Sequence, residues 1–317
     1  MTTILALVKS SKALAKLQKQ LPAGIKLITA AEASAADLAQ VTILLGWGPL
    51  GKEILELPES QLQWIQVISA GVDALPLTEL KKREILLSNT SGIHAQAIAE
   101  SVLGMLLAHV RGLQTAINQQ AQAHWQTLPH KQLTTLTGKK LLIYGTGHIG
   151  QQIAALAQAL GMETVGVNRS GHAATHFTAT YSMATAQAAV QQADVIVNVM
   201  PLTATTNQFF NADFFAQLQT QPIFINVGRG ASVDTTALLR ALQSGQISYA
   251  ALDVVDPEPL PPTHPLWRQE NLLLTPHISG IFDGYMQQVN QIFLPNLHQF
   301  LENGKLVQNQ VDLTRGY

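Results

Sequence analysis

Cysteine is absent from the 317-residue chain, which excludes disulfides, thiolate zinc sites, iron–sulfur clusters and a cysteine nucleophile. Charge is scarce as well. The 19 basic and 20 acidic residues nearly cancel, so there is no basic field to hold nucleic acid or an anionic membrane. No apolar run approaches the roughly 18 residues of a membrane-spanning helix. The opening MTTILALVKSSK has no charge ahead of its apolar stretch and no small-residue cleavage site, so no signal peptide is expected. At 47% hydrophobic residues the chain can fill sizeable cores and is not disordered. With about 100–200 residues per domain, its length predicts about two domains. The expectation is a cytoplasmic protein without a resident metal and without a nucleic-acid or membrane partner.

What is present is an alternation. Strand-like stretches at 3–8, 25–29, 41–47, 62–69 and 85–88 are separated by helical spacing at 13–21, 31–40 and 50–57. A proline-free stretch at 94–124 predicts one long helix. Its apolar residues (Ile98, Val102, Met105, Leu106, Leu107 and Val110) exceed a single stripe, as in a helix deeply buried or shared with another subunit. The alternation then restarts. Strands are predicted at 140–144, 164–167, 195–199, 223–227, 249–255 and 272–275, with helices at 148–160, 183–192, 212–219 and 235–244. A closing helix at about 285–302 is expected to be interrupted at Pro295. The predicted fold class is α/β, with two doubly wound parallel-sheet domains.

A glycine loop opens the second alternation, Gly145-Thr146-Gly147-His148-Ile149-Gly150. It stands between a strand and a helix, the context in which such a loop cradles a dinucleotide pyrophosphate. The next strand ends in Asn168-Arg169-Ser170, where a carboxylate for a ribose 2′-hydroxyl is expected. No acid is there to repel a 2′-phosphate, and Arg169 can pair with one or flank an adenine by stacking. NADP(H) is therefore favoured, with NAD(H) as the alternative. His172 and His176 have a helical metal-ligand spacing, but they lie in a Gly/Ala/Thr-rich loop with no third ligand, so no metal site is expected.

Three polar residues follow three predicted strands: Arg229, Glu258 and His277. In open α/β sheets ligands bind outside the carboxyl ends of strands, which puts all three on the glycine loop's edge. An Arg can grip a carboxylate in a fork. A His can give a proton as hydride arrives. A Glu on the other imidazole nitrogen can orient the ring. Together they suit reduction of a 2-oxo acid.

At these residues the sequence resembles the D-isomer-specific 2-hydroxyacid dehydrogenases. The matching segments are 69–73, 94–100, 136–139 leading into 145–150, 200–206, 225–231, 250–254 and 274–280, in family order. The resemblance implies a discontinuous, flavodoxin-like substrate domain at 1–94 and 286–317, and a Rossmann cofactor domain at 95–285. It implies catalytic roles for Arg229, Glu258 and His277, and a substrate-carboxylate loop at Ala70, Gly71 and Val72. Pro201, Thr206, Val227, Gly228, Asp253 and Gly280 would stand near the cofactor, and the 94–124 helix would form a homodimer. The D configuration comes from the resemblance alone. Glu258 argues against the formate dehydrogenases, which have Gln there. With no long C-terminal regulatory segment, a small unphosphorylated 2-oxo acid is expected. The alternatives are a phosphoglycerate dehydrogenase and a non-catalytic dinucleotide sensor. The basic run Lys81-Lys82-Arg83, the local candidate for holding a phosphate, reads as a solvated helix end.

Overall fold

The computed structural model describes residues 2–8 and 10–314. They fall into two compact units, Met1–Ile93 with Phe282–Tyr317, and His94–Ile281.

The first unit alternates β1 (Thr3–Ala6), α1 (Ser11–Gln18), β2 (Lys26–Thr29), α2 (Ala35–Ala39), β3 (Val41–Leu45), α3 (Pro49–Glu56), β4 (Trp64–Gln66), α4 (Leu77–Lys82) and β5 (Leu86–Ser88). Its five strands pair in parallel in the order β2-β1-β3-β4-β5. Ile4, Leu5, Ile43 and Leu44 are fully buried, as expected of central parallel strands covered on both faces. Trp64 is buried too. Its indole N–H donates to Ser88 Oγ at 2.8 Å, and its ring stacks on Phe293 of the closing helix at 5.1 Å.

The closing helix, Tyr285–Asn303, corrects the expected interruption, because it runs through Pro295. A proline there removes the N–H that the Gln291 carbonyl would otherwise accept. Gln308 replaces it: its Nε2 donates to the Gln291 carbonyl at 3.0 Å and to that of Ile292 at 3.3 Å.

The second unit opens with α5 (Ala95–Val110) and α6 (Leu113–Ala121). The single helix predicted over 94–124 is therefore two. The break is at Gly112, whose φ of +66° is left-handed. A side chain there would also collide with Leu128, whose Cδ1 would lie 2.3 Å from a Cβ. The unit continues with β6 (Lys140–Tyr144), α7 (His148–Ala159), β7 (Glu163–Asn168), β8 (Ala179–Ser182), α8 (Gln187–Gln192) and β9 (Val195–Asn198). It ends with α9 (Ala212–Ala216), β10 (Ile223–Asn226), α10 (Thr235–Gln243), β11 (Tyr249–Leu252) and β12 (Leu272–Leu274), after which the chain re-enters the first unit as α11, the closing helix.

All seven strands are parallel, in the order β12-β11-β10-β9-β6-β7-β8. This corrects the expected six. The extra strand, β8, is a half-exposed edge of sequence ATYS, too polar and too short to announce itself. The strand order reverses between β6 and β9, which opens a crevice at the carboxyl ends of these strands. The glycine loop emerges there.

Candidate active site

Each glycine of the loop after β6 has its own reason. Gly145 has φ +105°. A Cβ on Gly150 would stand 1.9 Å from the Gly145 carbonyl oxygen, so no side chain fits. Around Gly147 there is open space: apart from the adjoining chain, no atom of a described residue comes within 4 Å of a Cβ position. Gly147 caps α7 without a side-chain bond, leaving the first-turn N–H groups without an intrahelical partner. Gln151 pins the loop by donating to the Thr146 carbonyl at 2.9 Å. Open space beside unclaimed N–H groups and a positive helix end fits a pyrophosphate.

Asn168, at the end of β7, shapes the neighbouring wall. Its Oδ1 accepts from the N–H groups of Ser170 and Gly171, at 3.2 and 2.7 Å. Its Nδ2 donates to Thr146 Oγ1 and to the His172 carbonyl, at 3.0 and 2.9 Å. A carboxylate could not make the last bond. The side chain thus ties the 168–172 turn to the glycine loop, and Arg169 beside it is solvent-exposed. His172 Nδ1 bonds Ser170 Oγ at 2.9 Å, whereas His176 sits in a left-handed turn with φ +64°, so the pair does not share a helix face. Among the described residues, no group of three or more His, Asp or Glu is placed to hold a metal ion.

Arg229 follows β10 and is positioned by a buried polar network that the sequence reading missed. Asn198 and Asn226 are register partners at the ends of β9 and β10. Asn198 Nδ2 donates to Asn226 Oδ1 at 2.9 Å and to Ser232 Oγ at 2.8 Å. Asn226 Nδ2 and Ser232 Oγ in turn donate to the Arg229 carbonyl, at 3.1 and 2.6 Å. The Gly228 N–H closes on Asn226 Oδ1 at 3.1 Å. Three polar side chains with 0% exposure survive burial only because each is paired. Two asparagines closing adjacent apolar strands were the available signal. Gly230 has no room for a side chain, since a Cβ would meet the Val255 carbonyl oxygen at 2.0 Å. Val227 is buried beside this turn. Thr206 is also buried, and its hydroxyl donates to the Pro201 carbonyl at 2.7 Å, bracing the 201–206 loop from within.

His277 and Glu258 meet. Glu258 Oε2 lies 2.8 Å from His277 Nδ1, and Oε1 accepts from the Val255 N–H at 3.0 Å. The carboxylate is thereby oriented, and it holds the proton on Nδ1, leaving Nε2 as the nitrogen available for chemistry. His277 has a left-handed backbone, with φ +55°, an unfavoured state for a histidine that surrounding bonds must impose. Asp253 imposes it. Its buried carboxylate accepts from Thr275 Oγ1 at 2.5 Å, the Ile278 N–H at 2.9 Å and the Ser279 N–H at 3.0 Å. Its backbone carbonyl accepts the His277 N–H at 2.9 Å. Asp253 thus holds the loop that carries His277, and Thr275 is a further partner the sequence reading missed. Gly280 ends that loop, with its carbonyl 3.0 Å from His94 Nδ1. Burial pushes the His94 imidazole down from its ordinary 6.5, so the ring favours its neutral form.

Ala70, Gly71 and Val72 belong to the first unit, in the loop after β4. The Ala70 carbonyl accepts from Asn89 Nδ2 at 2.9 Å, and that of Gly71 from Ser69 Oγ at 2.7 Å. The N–H groups of Gly71 and Val72 have no protein acceptor among the described residues.

The chain matches known proteins in family and in fold. Residues 103–279 match the family model described as D-isomer specific 2-hydroxyacid dehydrogenase, NAD binding domain. The chain is 36% identical over 234 residues to a glyoxylate reductase/hydroxypyruvate reductase of Mus musculus, covering 72% of this chain and 71% of that one. It is 47% identical to a solved phosphoglycerate dehydrogenase from Lactobacillus plantarum, covering 98% of this chain and all of that one, with a TM-score of 0.60. A D-isomer specific 2-hydroxyacid dehydrogenase from Xanthobacter autotrophicus, solved with NADPH and MES, superimposes with a TM-score of 0.85 at 27% identity, covering 100% and 99% of the two chains.

Proposed function

The chain belongs to the D-isomer specific 2-hydroxyacid dehydrogenases, and from that membership we propose that it reduces a small 2-oxo acid, such as glyoxylate or hydroxypyruvate, to the D-2-hydroxy acid, with NADP(H) favoured. It is an NAD(P)-dependent oxidoreductase. The observation that carries the mechanistic reading is the Glu258–His277 pair at 2.8 Å on the edge that also bears the glycine loop.

A bound nicotinamide supplies the hydride. Everything else falls to the chain's own residues. Arg229 grips the substrate carboxylate and polarises the adjacent carbonyl. His277 gives the Nε2 proton to the carbonyl oxygen, and Glu258 stabilises the imidazolium before that transfer. The N–H groups of Gly71 and Val72 are assigned to the substrate carboxylate. Gly145 to Gly150 and the first turn of α7 would hold the pyrophosphate. Arg169 and Ser170 would hold a 2′-phosphate, which the neutral Asn168 does not repel. Val227 and Asp253 are assigned near the nicotinamide, Pro201 and Thr206 near the adenosine and phosphates, and Gly228 and Gly280 to the cofactor without a finer position. Asp253 also positions His277.

A homodimer through α5 and α6 belongs to the same proposal. Leu113 and Ile117 are 52% and 63% exposed on α6, and Trp125 just beyond is 98% exposed. A cytoplasmic setting is proposed with it. Among the described residues, no helix is long and apolar enough to cross a membrane. Oxidation of phosphoglycerate stays as the second reading because of the 47% identity to the Lactobacillus plantarum structure.

The test is nicotinamide absorbance with purified protein, NADPH and NADH in parallel, against a panel of 2-oxo acids that includes 3-phosphohydroxypyruvate. Faster oxidation of NADPH with glyoxylate or hydroxypyruvate is expected. A clear win for NADH would discard the assignment of Arg169, and turnover of the phosphorylated acid alone would select the second reading. Dinucleotide binding without turnover of any acid would leave a sensor.

A further inference from the structure

The turn that follows His277 is held from two sides. Residues 278–281 close on themselves, with the Ile281 N–H donating to the Ile278 carbonyl at 2.9 Å. Asp253 accepts from the N–H groups at the entry, those of Ile278 and Ser279. These bonds fix the first two peptide planes after His277. The next two planes are fixed through their carbonyls, and both bonds come from α5. Ser101 Oγ donates to the Ser279 carbonyl at 3.3 Å, and His94 Nδ1 lies 3.0 Å from the Gly280 carbonyl oxygen. All of these residues belong to the second unit.

His94 stands where another residue type is expected. It is the N-cap of α5, a position that favours Ser, Thr, Asp or Asn because their oxygens accept from first-turn N–H groups. His94 makes no such bond, and its ring faces the 278–281 turn instead. The fit is close. A Cβ on Gly280 would stand 3.2 Å from His94 Nδ1 and 3.8 Å from Ile98 Cδ1. A carbonyl oxygen only accepts, so Nδ1 carries the proton and donates it. His277 itself has the unfavoured φ of +55°, a conformation that lasts only while its surroundings are fixed.

We propose that His94, seconded by Ser101, is a positioning residue for His277: it holds the carbonyl side of the 278–281 turn, as Asp253 holds the amide side. The role rests on the reading of His277 as the proton donor. Release of the Gly280 carbonyl frees the fourth peptide plane, the turn relaxes, and the imidazole loses its aim at the substrate carbonyl. The helix proposed as the dimer arm thereby also sets the geometry of proton transfer.

The test compares three variants of the full chain at saturating cofactor. His94→Leu fills the space without a donor and should lower kcat about 10- to 100-fold, the cost of a misplaced group, with a smaller change in KM for the 2-oxo acid. His94→Asn puts an amide N–H close to where Nδ1–H stands and should recover most of that loss. A ring needed only for packing would give the reverse order, with leucine the milder change, and would overturn the role. Ser101→Ala removes the second bond and should lower kcat by less, and it carries the comparison where His94→Leu does not fold. Hydrogen exchange read by mass spectrometry gives a readout independent of turnover. The amides of residues 278–281 should exchange faster in His94→Leu than in wild type, and His94→Asn should restore their protection. Unchanged exchange there, or wild-type kcat in both His94→Leu and Ser101→Ala, would overturn the positioning role and leave the reaction standing. Faster exchange in a chain that turns over no 2-oxo acid would remove the reaction itself, and the role would fall with it.

Discussion

At the scale of single residues, the proposed chemistry rests on one proton at His277 Nε2. In the proposed reduction that proton passes from the ring to the carbonyl oxygen of the substrate. His277→Ala should lower kcat by about 10²–10⁴-fold, the usual worth of a positioned acid, with a smaller effect on KM. Arg229→Ala should both raise KM and lower kcat. Two other histidines make a stability prediction. Burial pushes His94 and His109 below their ordinary 6.5. The unfolded chain therefore takes up protons first as pH falls, so stability is full above about 6.5 and declines below it. The unfolding temperature should drop on acidification. His109→Phe, which can keep the stacking on Tyr249 seen at 3.8 Å, should lose less. An acid profile identical to wild type would contradict this.

At the scale of elements, turns at strand ends place the functional side chains. The Asn198–Asn226–Ser232 network holds the turn after β10, Asp253 holds the loop after β12, and Asn168 holds the turn after β7. The last of these bears on cofactor choice. Arg169→Ala should lower kcat/KM for NADPH about 10- to 100-fold, the loss of a charge-assisted contact of roughly 1.5–3 kcal/mol, and leave NADH nearly unchanged. Equal losses for both cofactors would point to the adenine instead. The glycine loop, the Arg–Glu–His set and most strands were legible because each has a local signature. The asparagine network was not, since its partners are far apart in sequence and meet only through strand register. Nor was the break at Gly112, whose left-handed backbone, φ +66°, becomes visible only in the folded chain.

At the scale of the whole molecule, exposed apolar side chains on α6 and at Trp125 make an association prediction. The chain should run as a dimer in size-exclusion chromatography with light scattering, and Ile117→Lys should shift it towards monomer by burying a charge in the interface. A wild-type monomer at micromolar concentration would remove the dimer from the proposal.

The sequence alone determined the parallel α/β class, the family and the three polar residues at strand ends, because periodicity, glycine requirements and strand-end position are local properties. Only the tertiary structure decided how those residues are held. The left-handed backbone of His277, the carboxylate of Asp253 behind it and the His94 imidazole on the Gly280 carbonyl depend on which atoms surround a group once distant segments pack. Burial and pairing are set by those neighbours, and no window of sequence contains them.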